Sequence, residues 1–179
     1  MTSIRKTLSD EERAAYIAAP YYSVGIVKLM VLSLCTFGLY VIWWCYQQWT
    51  REQIRLREDL SPLWRAFFTL IWVFSLLERV SKEASRHRVA ATWSPNSLAV
   101  SVIVLTLLSR LPDPYWLLGL LGFLPFIPVQ RTINVLNAQT APGSDANRRL
   151  SGGSLAVAVI GGLFLVLVLW GVLFIPETS

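Results

Sequence analysis

Long apolar runs alternate along this chain with short charged stretches. Charged residues crowd into positions 1–20, 47–65, 78–90 and 130–150, and the intervals between them are almost uncharged. The pattern predicts apolar segments at about 24–46, 63–78, 95–110, 115–130 and 153–176. The last is the cleanest: from Leu155 to Ile175 no charge interrupts a run long enough to cross a bilayer as a helix. The first, Val24 to Tyr46, would measure about 35 Å as one helix, with Lys28 near enough to its start to snorkel toward water. Thr36-Phe37-Gly38 interrupts its middle. The second has an apolar core only from Ala66 to Leu77, which is short for a lone span.

Local signals divide the runs further. Ser9 and Glu12 form a capping-box pattern, so a short amphipathic surface helix is expected from about Asp10 to Ala19, ended by Pro20. Ser61-Pro62 and Ser94-Pro95 each read as a hydroxyl cap followed by proline at the first helical position. Leu111-Pro112-Asp113-Pro114 is a turn no helix crosses. Glu78 and Lys82 stand at i and i+4 in the favourable order. A polar, basic loop is expected over 131–150, with Pro142-Gly143 as its turn. The expected fold class is therefore all-α: a polytopic helical membrane protein with about three to five membrane segments. Residues 1–20 form the N-terminal segment and 21–179 a single membrane domain.

Composition agrees with this picture. Of 179 residues, 54% are apolar and 15% charged, against roughly a quarter charged in ordinary soluble domains. The net charge of +5 fits cytoplasmic loops of a membrane protein better than nucleic-acid binding, because no basic patch is interleaved with exposed aromatics. Aromatic residues flank the first segment, Tyr21 and Tyr22 before it and Trp43, Trp44, Tyr46 and Trp49 at its end, as rings do at headgroup level. No small-residue cleavage site follows a short apolar core, so the first segment is expected to be an uncleaved anchor. Cys35 and Cys45 would lie roughly 15 Å apart along one helix, too far to pair.

Catalytic apparatus is not evident. His87 is the single histidine and sits in the charged stretch Ser85-Arg86-His87-Arg88. No Asp or Glu lies within an apolar segment, which disfavours proton-coupled transport. No cofactor or metal is expected. Three features carry possible interactions. Pro125 and Pro128, with Gly119 and Gly122 before them, free the carbonyls of Leu121 and Leu124. Those oxygens meet either hydroxyls such as Ser101 or Thr106 on a neighbour, or a solute. Gln130, Asn134 and Asn137 share one helical face beside Arg131, a face able to hold a lipid headgroup or simply to enter water. Ser154, Ala158 and Gly162 form a stripe of small residues, with Gly161 adding room on the adjoining face. This stripe serves intramolecular packing or a homodimer.

Thr36-Phe37-Gly38-Leu39-Tyr40, followed by Trp43-Trp44 and Trp49, resembles a motif of small bacterial membrane proteins grouped as a domain of unknown function. There a Thr-x-Gly-aliphatic-Tyr block precedes a Tyr-Trp pair; here Trp43 replaces the tyrosine. The resemblance covers roughly residues 22–80 and implies a multi-pass inner-membrane protein. It supplies no activity or site residues. The Arg110 to Trp116 block is also similar to stretches of such chains.

The expected role is a non-enzymatic interaction or scaffold protein of the inner membrane, whose partners are the lipid bilayer and either another membrane protein or a second copy through the last helix. The alternative is a small transporter or channel subunit. Basic residues place the N-terminus and the 79–93 and 131–150 loops in the cytoplasm, and the C-terminus on the opposite side. Two arrangements of the first half remain open: two full crossings, or a first segment turning back at Thr36-Phe37-Gly38 with the second lying shallow.

Overall fold

A computed structural model describes residues 10–56, 60–150 and 152–174, without the side chains of Asp10, Glu11 and Leu173. Every regular element among the described residues is helical. The first is α1 (Asp10–Ala18), where the sequence places it, although its expected cap Ser9 lies outside the described residues. Residues 20–25 form no helix or strand, bend at Tyr21 and lead into α2 (Ile26–Cys35).

The chain then reverses. After Thr36, Phe37 and Gly38 take φ of 53° and 87°. Gly38 N–H bonds back to Ser33 O at 2.8 Å and Phe37 N–H to Leu34 O at 3.2 Å, the paired bonds of a Schellman ending. The Thr36 hydroxyl joins the two helices, donating to Leu32 O at 2.7 Å and accepting from Tyr40 N–H at 2.9 Å. Helix α3 (Leu39–Leu56) returns until Gln48 meets Tyr22. The 24–46 run is thus a helical corner, and α3 continues beyond it through Arg51 and Arg55 of the charged 47–65 stretch.

Proline at the first helical position starts α4 (Pro62–Phe67) and α6 (Pro95–Leu108) as expected, but neither Ser61 nor Ser94 makes a side-chain cap bond. Phe68 separates α4 from α5 (Thr69–Arg86). In α5 the buried positions Val73, Leu76, Leu77, Val80, Glu83 and Ala84 form one stripe running from its apolar half into its charged half. The core gathers this stripe with Leu29, Trp44, Trp49, Val129, Ile133 and Leu136.

After α6 a 3-10 helix (Tyr115–Phe123) packs back on it; a Cβ at Gly119 would stand 2.4 Å from Ser109 Cβ. Then α7 (Phe126–Thr140) extends ten residues beyond the 115–130 segment, so the loop expected from residue 131 begins only after Thr140. The carbonyls freed by Pro125 and Pro128 are satisfied locally: Leu124 N–H bonds to Leu121 O at 2.9 Å and Ile127 N–H to Leu124 O at 3.1 Å. Ser101 and Thr106 instead bond to carbonyls of their own helix, at Ser97 and Val102.

The last helix, α8 (Gly153–Phe174), has 22 residues and is about 33 Å long. It lies beside α2 in the same direction. Lys28 Nζ donates to Arg149 O just before α8, Cys35 abuts Gly161, and the Phe37 ring meets Phe164 at 5.6 Å. Among the described residues, two helical stretches are long and apolar enough to cross a membrane, Tyr115–Thr140 and Gly153–Val172.

Candidate functional site

The interior of the molecule is built around a segment without secondary structure. Backbone between Tyr21 and Val24 passes through the core, where each buried N–H and C=O needs a partner. Amide side chains supply them. Asn137 accepts from Tyr21 N–H at 3.4 Å and donates through Nδ2 to Tyr21 O at 2.6 Å and Ser23 Oγ at 2.7 Å. Gln48 accepts from Tyr22 N–H at 2.9 Å and donates to Tyr22 O at 3.1 Å. Asn134 donates to Val24 O at 2.9 Å, and Gln130 donates to Asn134 Oδ1 at 2.8 Å and Tyr22 O at 3.3 Å. The Trp44 indole N–H closes the network on Gln130 Oε1.

Gln130, Asn134 and Asn137 therefore share one face, as their spacing requires, but that face turns inward. Its polar atoms are spent on the protein's own backbone, so it is not a headgroup surface; Arg131, one residue along, is exposed. The reason is geometric. Because α7 runs on to Thr140, all three amides project from one rigid helix onto one irregular segment. The sequence reading missed their partner Gln48, whose only signal was a polar residue one turn beyond Trp44.

Next to this clamp lies an ionic cluster. Glu52 is fully buried and pairs with Arg55 at 2.8 Å and Arg79 at 3.4 Å. Arg55 also pairs with Glu83 at 2.9 Å, and Arg86 with Glu83 at 3.1 Å. His87 stands 3.4 Å from Glu83 on an exposed turn. Burial works to raise the Glu83 carboxyl, but Arg55 and Arg86 outweigh it and hold it below the usual carboxylate range. Burial, reinforced by Glu52, keeps the Tyr21 phenol well above its ordinary value. Arg65 is sandwiched by aromatic rings, 4.5 Å from Trp49 and 4.1 Å from Trp72. These acids come from the charged stretches, not from the apolar segments. The exposed pair Glu78–Lys82 forms as its spacing predicts, at 2.8 Å.

Lys28 does not snorkel. It is buried and donates to Asn147 Oδ1 at 2.8 Å and to Arg149 O, which ties the 141–150 loop to the start of α2. The small-residue stripe of α8 meets α2. Ser154, Ala158 and Gly162 are half-buried among exposed neighbours, and a Cβ at Gly162 would stand 3.6 Å from Cys35 Sγ, an ordinary contact. The closest approach belongs to Gly161, where a Cβ would come within 2.1 Å of Cys35 O. Gly161, not the fourth-position stripe, is the residue that must stay small.

An apolar cavity of about 340 Å³ opens beside the corner at Gly38, lined by Phe37, Val41, Thr69, Thr106, Gly119 and Phe123 among others. Its hydroxyls are few and no ionisable side chain lines it. Thr36 and Tyr40 are consumed by the corner itself, and Pro125 and Pro128 shape the passage into α7. Comparison with family models, curated proteins and solved structures finds no significant match.

Proposed function

We propose that this protein is a multi-pass protein of a bacterial inner membrane that works by holding a partner, another membrane protein or lipid, and not by catalysis. The observation that carries the reading is α8. None of the residues in its 153–172 window is buried, and side chains such as Ile160, Leu167 and Trp170 are more than 60% exposed. So much unpartnered apolar surface is unstable in water and at home in lipid.

Three crossings by α6, the 115–140 stretch and α8, with α2–α3 and α4–α5 as re-entrant hairpins, make the best account. Basic stretches distant in sequence gather at one end, which supports a common cytoplasmic side: Arg51 donates to Ala19 O, Lys28 to Arg149 O, and Arg55 pairs with Glu83. The corner at Thr36-Phe37-Gly38 supports turning back over crossing. Kinship with the family that the Thr36–Tyr40 block resembles belongs to the same proposal. A non-catalytic role is supported by how the buried ionisable groups are used, since Glu52, Arg55, Arg79 and Glu83 neutralise one another. A transporter subunit is the second reading, favoured by the cavity beside Gly38.

Alkaline carbonate extraction tests the membrane reading: the protein is expected in the pellet, and its appearance in the supernatant ends the proposal. Impermeant thiol labelling of intact cells, in a background lacking Cys35 and Cys45, tests the topology. Asp113→Cys is expected to label and Gln53→Cys to be protected. Labelling at position 53 replaces the re-entrant hairpin with two full crossings.

A further inference from the structure

Outside the clamp, a cleft lies between α1, α3 and the loop before α8. Its volume is about 560 Å³, and Glu12, Tyr16, Tyr22, Arg51, Asp145 and Asn147 line it. Arg51 is the notable group. Its guanidinium donates from Nη1 to Ala19 O at 2.8 Å and lies 5.1 Å from the Tyr16 ring and 5.9 Å from the Tyr22 ring. Among the described residues no carboxylate pairs with it, in contrast to Arg55 and Arg79 a turn or more away. The guanidinium carries five donors, so most of its fork is left for the cleft. Lys28 adds a second positive charge behind Asn147, whose Nδ2 donates to the Tyr22 hydroxyl.

The same lining also carries the other sign. Asp145 holds the loop by accepting from Asn147 N–H at 2.8 Å and remains exposed, and Glu12 lines the same cleft. One cavity thus offers a fork suited to phosphate oxygens and, at Asp145, a carboxylate suited to an ammonium. Its position adds the second argument. The loop that forms its rim leads directly into α8, and Tyr22 leads into α2, so the cleft sits where both apolar helices begin. In the membrane reading proposed above, on which this inference rests, that is headgroup depth.

From these observations we infer that the Arg51 cleft binds a phosphoethanolamine group, that of a phosphatidylethanolamine headgroup, with phosphate on Arg51 and ammonium toward Asp145. A purely anionic headgroup would meet the Asp145 carboxylate, and a choline headgroup has no N–H to donate to it.

Native mass spectrometry of the detergent-purified full chain, incubated with equimolar phosphatidylethanolamine, phosphatidylcholine and phosphatidylglycerol of identical acyl chains, tests this. The ethanolamine lipid is expected to be retained preferentially. Arg51→Gln should lower its retention roughly tenfold, the loss of one charge-assisted contact, while Arg88→Gln leaves it unchanged. Asp145→Asn, a change at an exposed position that keeps the fold, should erase the preference over phosphatidylcholine. That arm stands even if Arg51→Gln fails to fold. Equal retention of the three lipids, preference for phosphatidylglycerol, or an Asp145→Asn protein that still discriminates overturns the inference. Displacement of the lipid by equimolar soluble phosphoethanolamine overturns the lipid as its source; persistence supports it. A chain that stays in carbonate-washed membranes but shows no lipid preference sinks this inference alone, whereas release by carbonate sinks the membrane reading beneath it.

Discussion

The two stretches long enough to cross a membrane are opposites in how they use their polar groups. The 115–140 stretch carries Gln130, Asn134 and Asn137 and turns them inward, where each amide bonds to backbone of the irregular segment at Tyr21 to Val24. Helix α8 carries no charged group, and it buries nothing beyond a narrow contact with α2. One helix is specified by hydrogen bonds of fixed geometry; the other by steric closeness at Gly161 and by whatever surrounds it. Directional contacts make the first intolerant of chemistry changes, and close packing makes the second intolerant of volume changes.

The largest expected effect tests the first half of that contrast. Asn137→Leu keeps the branched heavy-atom skeleton but strands Tyr21 N–H and C=O in the core, at a cost of roughly 3 kcal/mol. Unfolding in mixed micelles by added SDS measures it; a loss below about 1 kcal/mol would mean that water replaces the amide. Next is the steric half. Gly161→Ala drives a methyl group into Cys35 O and should destabilise the α2–α8 contact by roughly 2 kcal/mol. Gly162→Ala meets only ordinary contact at 3.6 Å and Gly171→Ala meets nothing, so both should be neutral or gain helix propensity. Equal tolerance of all three removes the close contact.

The smallest effect sharpens the comparison by separating charge from amide chemistry. Because Arg55 and Arg86 hold Glu83 below the usual carboxylate range, its contribution is full above the unfolded value of about 4.3 and fades as pH falls through the lower folded value. Acid titration of stability should therefore be shallower in Glu83→Gln than in wild type over that window. Parallel curves would mean that the Arg55–Glu83 pair is not coupled to folding.

Much of the helical layout was legible in the residues themselves. Pro20, Pro62 and Pro95 act through their own covalent geometry, and the elements end or begin beside them as read. The charge-free length of α8 needs no context either. Thr36-Phe37-Gly38 was visible as an interruption, yet a span and a hairpin remained equally open to sequence reasoning. Both satisfy the same local preferences, and only the return of Gln48 to Tyr22 distinguishes them.

Sequence by itself determined that this is a helical protein of apolar segments separated by charged stretches, because periodicity, proline and charge act over a few neighbouring residues. Tertiary structure alone decided which polar residues face inward. Asn137 lies 116 positions from Tyr21, and Lys28 lies 119 from Asn147. Pairings at such separations leave no mark in local composition. An amide that clamps buried backbone and an amide that meets water have the same spacing on a helix, and only the element packed against that face tells them apart.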